Sequence, residues 1–318
     1  LAALDSLASS KLDFDDIMVK FGEWYYDDEY TPTGEMFDVG NTCSYAIDNY
    51  FAYHKPIEEC GLTEEHSNGN GSLMRIHPFV LYAYVNQMSV DEWLGVIVKA
   101  SALTHSHDRS KIGCLIYTFV LMSLLKDKGK DGLRDALKKA ERYLSACAEF
   151  APYERIFKSG FAELRREEIK SSGYVVDTLE AAIWCLLTTD NYHDCVLKAV
   201  NLGDDTDTVA AVAGGLAGAL YGYDAIPREW LDTLKRRDYI EEMWSCGDFN
   251  FEIRLADGRT LYSTNCCDNE DLPIWDWHIG LDDGDYTVSI GDVRQTYVEL
   301  FNEGNLIQEM VGKLFFTE

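Results

Sequence analysis

Oxygen donors crowd one short stretch of this chain. Residues 201–215 read Asn-Leu-Gly-Asp-Asp-Thr-Asp-Thr-Val-Ala-Ala-Val-Ala-Gly-Gly, so Asp205, Asp207 and Thr208 bring two carboxylates and a hydroxyl together just as a small-residue helix begins. Hard divalent cations such as Mg²⁺ accept oxygen ligands of this kind. A helix starting near Thr208 puts Asp205 and Thr208 on one side, with Asp207, still outside the regular turn, able to swing toward them. The same residues also suit a plain helix start, where acidic groups complement the macrodipole for about 0.3–1 kcal/mol each and a Thr serves as a cap.

Other stretches carry chemistry of a complementary sort. Ser67-Asn-Gly-Asn-Gly-Ser-Leu-Met-Arg75 is a glycine-rich loop ahead of a helix beyond Pro78. Successive N–H groups in such a loop can form a nest for phosphate, with Arg75 adding positive charge; turn geometry alone also favours Gly and Asn. In Ser101-Ala-Leu-Thr-His-Ser-His-Asp108, at the end of an expected helix, His105 can donate to a substrate hydroxyl or phosphate, and His107 can serve as a favourable charge at the helix C-terminus. A zinc reading fails for want of further ligands at a recognisable spacing. Asp38, in Asp-Val-Gly-Asn-Thr42, can act as acid, base or hydroxyl-orienting group, or simply cap the helix expected near 43–53. Tyr174, at a helix entrance, can stack on a purine or fill a gap.

The elements that must position these residues are mostly helical up to about residue 247. Leu12 to Tyr26 is amphipathic, and Ser89-Val-Asp-Glu92 matches a capping box ahead of an apolar run. Further helices are expected over roughly 111–126, 131–148, 174–188, 192–201, 207–221 and 228–235. After Gly247 the texture changes. Phe249, Phe251, Ile253 and Leu255 alternate with polar residues, the period of a half-buried strand, and Asp257-Gly258 signals a hairpin. Asp282-Asp-Gly-Asp285 lacks the twelve-position calcium-loop pattern and reads as a solvated turn, and Asn302-Glu-Gly304 breaks the last apolar segment. Two domains are expected: a helical one over 1–247 and a small β-rich one over 248–318.

With 318 residues, 47% of them hydrophobic, the chain can bury a substantial core. It has no uninterrupted apolar run of transmembrane length, and its first residues are too acidic for a signal peptide, so a soluble, cytoplasmic protein is expected. Nine cysteines occur without a Cys-x-x-Cys spacing, which points to reduced core thiols. A net charge of −27 repels nucleic acid and anionic membranes. An anionic small substrate would then need cations or convergent N–H groups in its site. No feature of the sequence specifies an oligomeric state.

Taken in order, Asp38-Val-Gly-Asn-Thr42, Asn70-Gly-Ser-Leu-Met-Arg75, Leu103-Thr-His105, Gly173-Tyr-Val-Val-Asp-Thr-Leu179 and Asn201-Leu-Gly-Asp-Asp-Thr-Asp-Thr208 resemble motifs of the ADP-ribosylglycohydrolase family, over about residues 1–245. The resemblance implies an all-α orthogonal helical bundle, here with the small β-rich C-terminal appendage. It also implies a cleft holding two Mg²⁺ ions, with Mn²⁺ as a substitute, that cleaves the bond between ADP-ribose and a protein side chain or other acceptor. The partner would be an ADP-ribosylated protein or a small molecule containing ADP-ribose. On this resemblance Asp205, Asp207 and Thr208 are metal ligands, and Gly40, Asn70, Gly71, Ser72, Met74 and His105 contact ADP-ribose. Tyr174 contacts the nucleotide, and Asp38 is the catalytic carboxylate near the scissile ribose.

Such a bond breaks through an oxocarbenium-like state with water as nucleophile. Metal ions would hold the ribose hydroxyls, lower the pKa of water and offset the acidic field. The family's Gly-Asp stretch and acidic Thr-Asp-Asp motif, which complete its metal site, are not found in the sequence. The expectation is therefore an N-terminally incomplete helical domain or a degenerate member, with a non-catalytic ADP-ribose-binding or structural role as the alternative function.

Overall fold

The computed structural model describes residues 1–9, 12–126 and 129–240, followed by seven strands between Phe251 and Phe316. The chain divides into two units, Leu1–Arg237 and Asp238–Glu318. In the first, the helices are α1 (Ala2–Ser9), α2 (Phe14–Asp27), α3 (Asn41–Phe51), α4 (His77–Val85), α5 (Val90–Ala102), α6 (Asp108–Leu124), α7 (Gly129–Leu144), α8 (Val175–Leu187), α9 (Tyr192–Val200), α10 (Thr206–Tyr221) and α11 (Arg228–Thr233). The expected all-α bundle is what forms.

Burial patterns explain the layering. In α6 almost every residue from Ser110 to Leu124 is buried, and in α8 the same holds from Val175 to Leu186. Helices apolar on all sides belong at the centre of a bundle. By contrast α7 buries only Gly132, Leu133, Ala136, Leu137, Ala140 and Leu144, one stripe at helical spacing, and covers α6 from outside. The small residues of α10 let it lie against α6, α8 and α9, which brings its N-terminus to the entrance of α8. Of the expected core thiols, Cys60, Cys114, Cys185 and Cys195 are free and buried, whereas Cys43 is only partly buried and Cys147 is exposed; Cys246, Cys266 and Cys267 lie outside the described residues.

Local signals set most helix starts. Ser89 Oγ accepts from the Glu92 amide while the Glu92 carboxylate accepts from the Ser89 amide at 2.7 Å, which is the anticipated capping box. Pro78 lies in the first turn of α4, where its missing N–H costs nothing. One boundary differs instructively. α6 begins at Asp108 rather than near 111 because His107, expected at a helix C-terminus, is instead its N-cap and accepts from the Arg109 amide at 3.1 Å.

In the second unit, β1 (Phe251–Arg254), β2 (Thr260–Thr264) and β7 (Phe315–Phe316) form a three-stranded sheet in the order β2-β1-β7. A four-stranded antiparallel meander joins β3 (Asp276–Leu281), β4 (Gly284–Ile290), β5 (Tyr297–Asn302) and β6 (Asn305–Val311) in chain order. The domain boundary near Gly247 and the expected turns at Asp257-Gly258, Asp282-Asp283 and Glu303-Gly304 lie outside the described residues. Among the described residues no helix is long and apolar enough to cross a membrane.

The centre of the bundle has no slack. A Cβ added at Gly113 of α6 would stand 2.5 Å from the Tyr153 hydroxyl and 3.0 Å from Val175, and Tyr153 is fully buried with its hydroxyl donating to the Arg109 carbonyl. Helix propensity favours Ala over Gly by about 1 kcal/mol, but overpacking a rigid core costs about 1–3 kcal/mol. Gly113→Ala is therefore expected to lower the denaturant midpoint at unchanged m-value, a net destabilisation that chemical unfolding measures.

Candidate functional site

The glycine loop is stitched to the entrance of α8. Gly69 pairs with Tyr174 in an antiparallel bridge, the Asn70 amide donates to the Gly173 carbonyl at 2.9 Å and the Val175 amide to the Asn68 carbonyl at 3.1 Å. This strand-like seam fixes where the Asn70 side chain goes. Its Nδ2 donates to Thr178 Oγ1 at 2.8 Å and to Asp205 Oδ2 at 2.6 Å. The Asp205 amide in turn donates to the Ser171 carbonyl at 3.0 Å, so the loop, α8 and the start of α10 meet at one amide. Gly173 leaves room for this meeting, since a Cβ there would lie 3.3 Å from Asp205 Oδ2.

α10 begins at Thr206, with Asp205 as its N-cap. Asp207 therefore lies inside the first turn, not outside it as expected, because the Asp205 carbonyl already accepts from the Val209 amide at 3.1 Å. Gly203 and Asp204 take positive φ, 88° and 54°, and turn the chain toward the loop. The Asp205 carboxylate caps no amide of its own helix; it is turned onto Asn70 instead. Asp207 is exposed, Thr208 is 5% exposed, and neither side chain is hydrogen-bonded among the described residues. The donor set, two carboxylates and a hydroxyl, suits a hard divalent cation whose remaining positions water or ligand hydroxyls can complete.

His105 packs under the same loop. It is 2% exposed, its Nδ1 shares a 2.7 Å hydrogen bond with Thr104 Oγ1, and its ring edge stands 2.9 Å from where a Gly71 Cβ would be. Only glycine fits over that ring. Burial, helped by the charge of Arg75, pushes the imidazole down to about 3, so it is neutral at pH 7. Arg75 holds the loop from beneath. It donates to the Gly71 carbonyl at 2.9 Å and the Ala100 carbonyl at 3.2 Å and lies over the Phe21 ring, while its Nε is sealed off without a partner among the described residues.

The remaining expected residues are placed as follows. Ser72 is fully buried and turned inward, accepting from Ser101 Oγ at 3.1 Å and lying 3.5 Å from Cys114 Sγ; Met74 is 49% exposed. Gly40, not Asp38, is the N-cap of α3, and the first turn of α3 reaches the loop through Cys43, whose Sγ is 3.1 Å from the Gly71 Cβ position. Asp38 is exposed beside Phe37, which is 86% exposed, and forms no hydrogen bond or ion pair among the described residues. Tyr174 is half-buried and its hydroxyl accepts from Arg109 at 3.1 Å. Sequence reasoning missed Thr178 and Arg109. Thr178 sits in the quoted 173–179 motif and could have been found there; Arg109 has partners 40 and 44 residues away, which no local pattern announces.

Two measurements follow. Asn70→Ala leaves the Asp205 carboxylate without its donor and is expected to cost about 1–3 kcal/mol in chemical unfolding. The unfolded His105 ring titrates near 6.5 and the folded one near 3, so in that window the unfolded chain binds more protons. The stabilisation is complete above about pH 6.5 and is lost as pH falls toward 3, by on the order of a few kcal/mol. In His105→Gln the stability curve should be flatter across this window. A residual slope of the same sign remains from His77, which burial pushes down to about 4.

Comparison with known proteins supplies the lineage. The ADP-ribosylglycohydrolase family model matches residues 1–261. The chain is 34% identical over 239 residues to ADP-ribosylarginine hydrolase Tri1 of Serratia proteamaculans (strain 568), covering 74% of this chain and 61% of the relative. It is 30% identical over 229 residues to ADP-ribosyl-[dinitrogen reductase] glycohydrolase of Rhodospirillum rubrum, covering 71% and 68%. A solved structure described as an ADP-ribosylglycohydrolase-related protein complex superposes with a TM-score of 0.62 at 30% identity, covering 77% of each chain. The match to Tri1 from Serratia and to the Pseudomonas putida (strain GB-1) relative spans 61% and 60% of their lengths. With the loop, the acidic turn and the buried histidine assembled on the same helical bundle, this chain belongs to the ADP-ribosylglycohydrolase family.

Proposed function

We propose that the chain hydrolyses the glycosidic bond between ADP-ribose and an acceptor, with an arginine side chain of a modified protein as the preferred acceptor. The observation that carries this reading is the Asp205–Asn70 hydrogen bond at 2.6 Å. It joins an oxygen-rich turn whose donors suit a cation to a glycine loop whose amides suit phosphate, which supports a single site for both. The Gly71 amide has no protein acceptor among the described residues, which leaves it for a diphosphate oxygen. The charge of Arg75 beneath the loop acts in the same direction. Arginine as acceptor is supported by the names of the Serratia and Pseudomonas relatives and by the net charge of −27, which draws a cationic protein surface toward the cleft.

In this reading Asp205, Asp207 and Thr208 hold Mg²⁺, or Mn²⁺ in its place. When bound, such an ion supplies positive charge that orients ribose hydroxyls and acidifies water. The protein's own part is positional. The loop fixes the diphosphate, neutral His105 stiffens the loop without adding charge, and Asp38, with no partner of its own, is the carboxylate available to take or give a proton at the scissile ribose.

The test is release of ADP-ribose from ADP-ribosylarginine by this chain, with Mg²⁺ and with chelator. Release that requires the metal is expected, and Asp205→Ala with Asp207→Ala should lower kcat by about a hundredfold or more and abolish the heat of Mg²⁺ titration. Metal titrations indistinguishable from those of the unsubstituted chain would remove the cation from the site. Binding of ADP-ribose without release would mark a non-catalytic binder.

A further inference from the structure

Beside the glycine loop stands a cluster that the reading above does not use. Arg109, with a side chain 14% exposed, donates through Nε and Nη2 to Glu149 at 2.9 and 2.6 Å, through Nη1 and Nη2 to the two oxygens of Glu65, and through Nη1 to the Tyr174 hydroxyl at 3.1 Å. These five bonds engage every N–H that a guanidinium has. The group is thus fixed in one orientation, and its Cζ lies 5.9 Å from the centroid of the Tyr174 ring. Its backbone is anchored as well, because the fully buried Tyr153 donates its hydroxyl to the Arg109 carbonyl at 2.8 Å. Glu65, His107 and Glu149 bring ligand atoms within 4.8 Å of one another, a spacing a metal could use, but Arg109 already occupies both carboxylates.

What the cluster does is hold one aromatic ring from two ends. Tyr174 is tied at its backbone to Gly69 of the loop and at its hydroxyl to Arg109. A half-buried tyrosine at a loop edge ordinarily samples more than one rotamer, at an entropic cost to any ligand that needs one of them. Here that cost is met within the fold. We propose that Arg109, gripped by Glu65 and Glu149, is a positioning residue that fixes the Tyr174 ring as the stacking platform for the purine of the nucleotide held at the glycine loop. The inference rests on the proposed ADP-ribose site and adds a determinant of base recognition to it. It also explains why Arg and not Lys stands at position 109: an ammonium cannot bind two carboxylates and a phenol in one plane.

Calorimetry on the full chain tests this with two probes, ADP-ribose and the base-free ribose 5-phosphate. Arg109→Gln should weaken ADP-ribose by about tenfold, the scale of one base–aromatic stack, and leave ribose 5-phosphate unchanged. Tyr174→Ala should weaken ADP-ribose at least as much, and the double variant should be no weaker than Tyr174→Ala alone, because Arg109 acts through the ring. In turnover the loss should fall on KM with kcat retained. Glu149→Gln, which loosens only one arm, should show the same pattern at about threefold and keeps the test open if Arg109→Gln fails to fold. Equal losses on both probes, additive losses in the double variant, or unchanged ADP-ribose affinity would overturn the proposal. Failure of the unsubstituted chain to bind ADP-ribose would overturn the proposed function, and this inference with it.

Discussion

One side-chain amide, that of Asn70, couples three parts of the chain that are far apart in sequence. Its two hydrogens go to Thr178 and Asp205, 108 and 135 residues away, and its own backbone amide is committed to Gly173. A hydrogen bond to a charged acceptor contributes roughly 1.5–3 kcal/mol, and leaving this partly buried acceptor without a donor costs about 1–3 kcal/mol. That is enough to decide the direction of a single carboxylate. Without Asn70 in this place, Asp205 would have every reason to cap its own helix; with it, the acidic turn belongs to the loop.

The helices behind this contact make it durable. α6 and α8 are buried on nearly all sides, so the seam between residues 68–70 and 173–175 rests on the least compressible part of the bundle. His105 and Arg75 close the loop from below, one neutral and one cationic. The division of labour is chemical: the imidazole is kept uncharged by burial, while the guanidinium, whose proton is lost only at extreme pH, retains a positive charge beneath backbone that would face a diphosphate. In a chain with a net charge of −27, a local cation of this kind offsets the acidic field that opposes an anionic ligand.

Much of the bundle was legible from local pattern, and the reasons are visible residue by residue. The Ser89–Glu92 capping box, the amphipathic period of α2 and the apolar content of α8 and α9 all operate within a few residues, so sequence displays them directly. His107 was misread for the opposite reason. A histidine after an apolar run looks the same whether it ends one helix or starts the next, and only the 3.1 Å bond from the Arg109 amide distinguishes the two. The Asp205–Asp207–Thr208 cluster, the glycine loop and His105 could be picked out as residue types with suitable chemistry. Whether they lie together, and whether the Asp205 carboxylate caps its own helix or turns onto Asn70, could not.

By itself, then, the sequence determined the helical class, most of the helix boundaries and a short roster of oxygen-rich, glycine-rich and aromatic segments, because propensity, capping and hydrophobic period act over one or two turns. Tertiary structure alone decided that Asn70 meets Asp205, that Arg75 lies beneath the loop rather than beside it, and that Arg109 grips Tyr174 through Glu65 and Glu149. Each of these depends on contacts between segments tens to more than a hundred residues apart, whose pairing is set by how the buried helices pack and leaves no periodic trace in the chain.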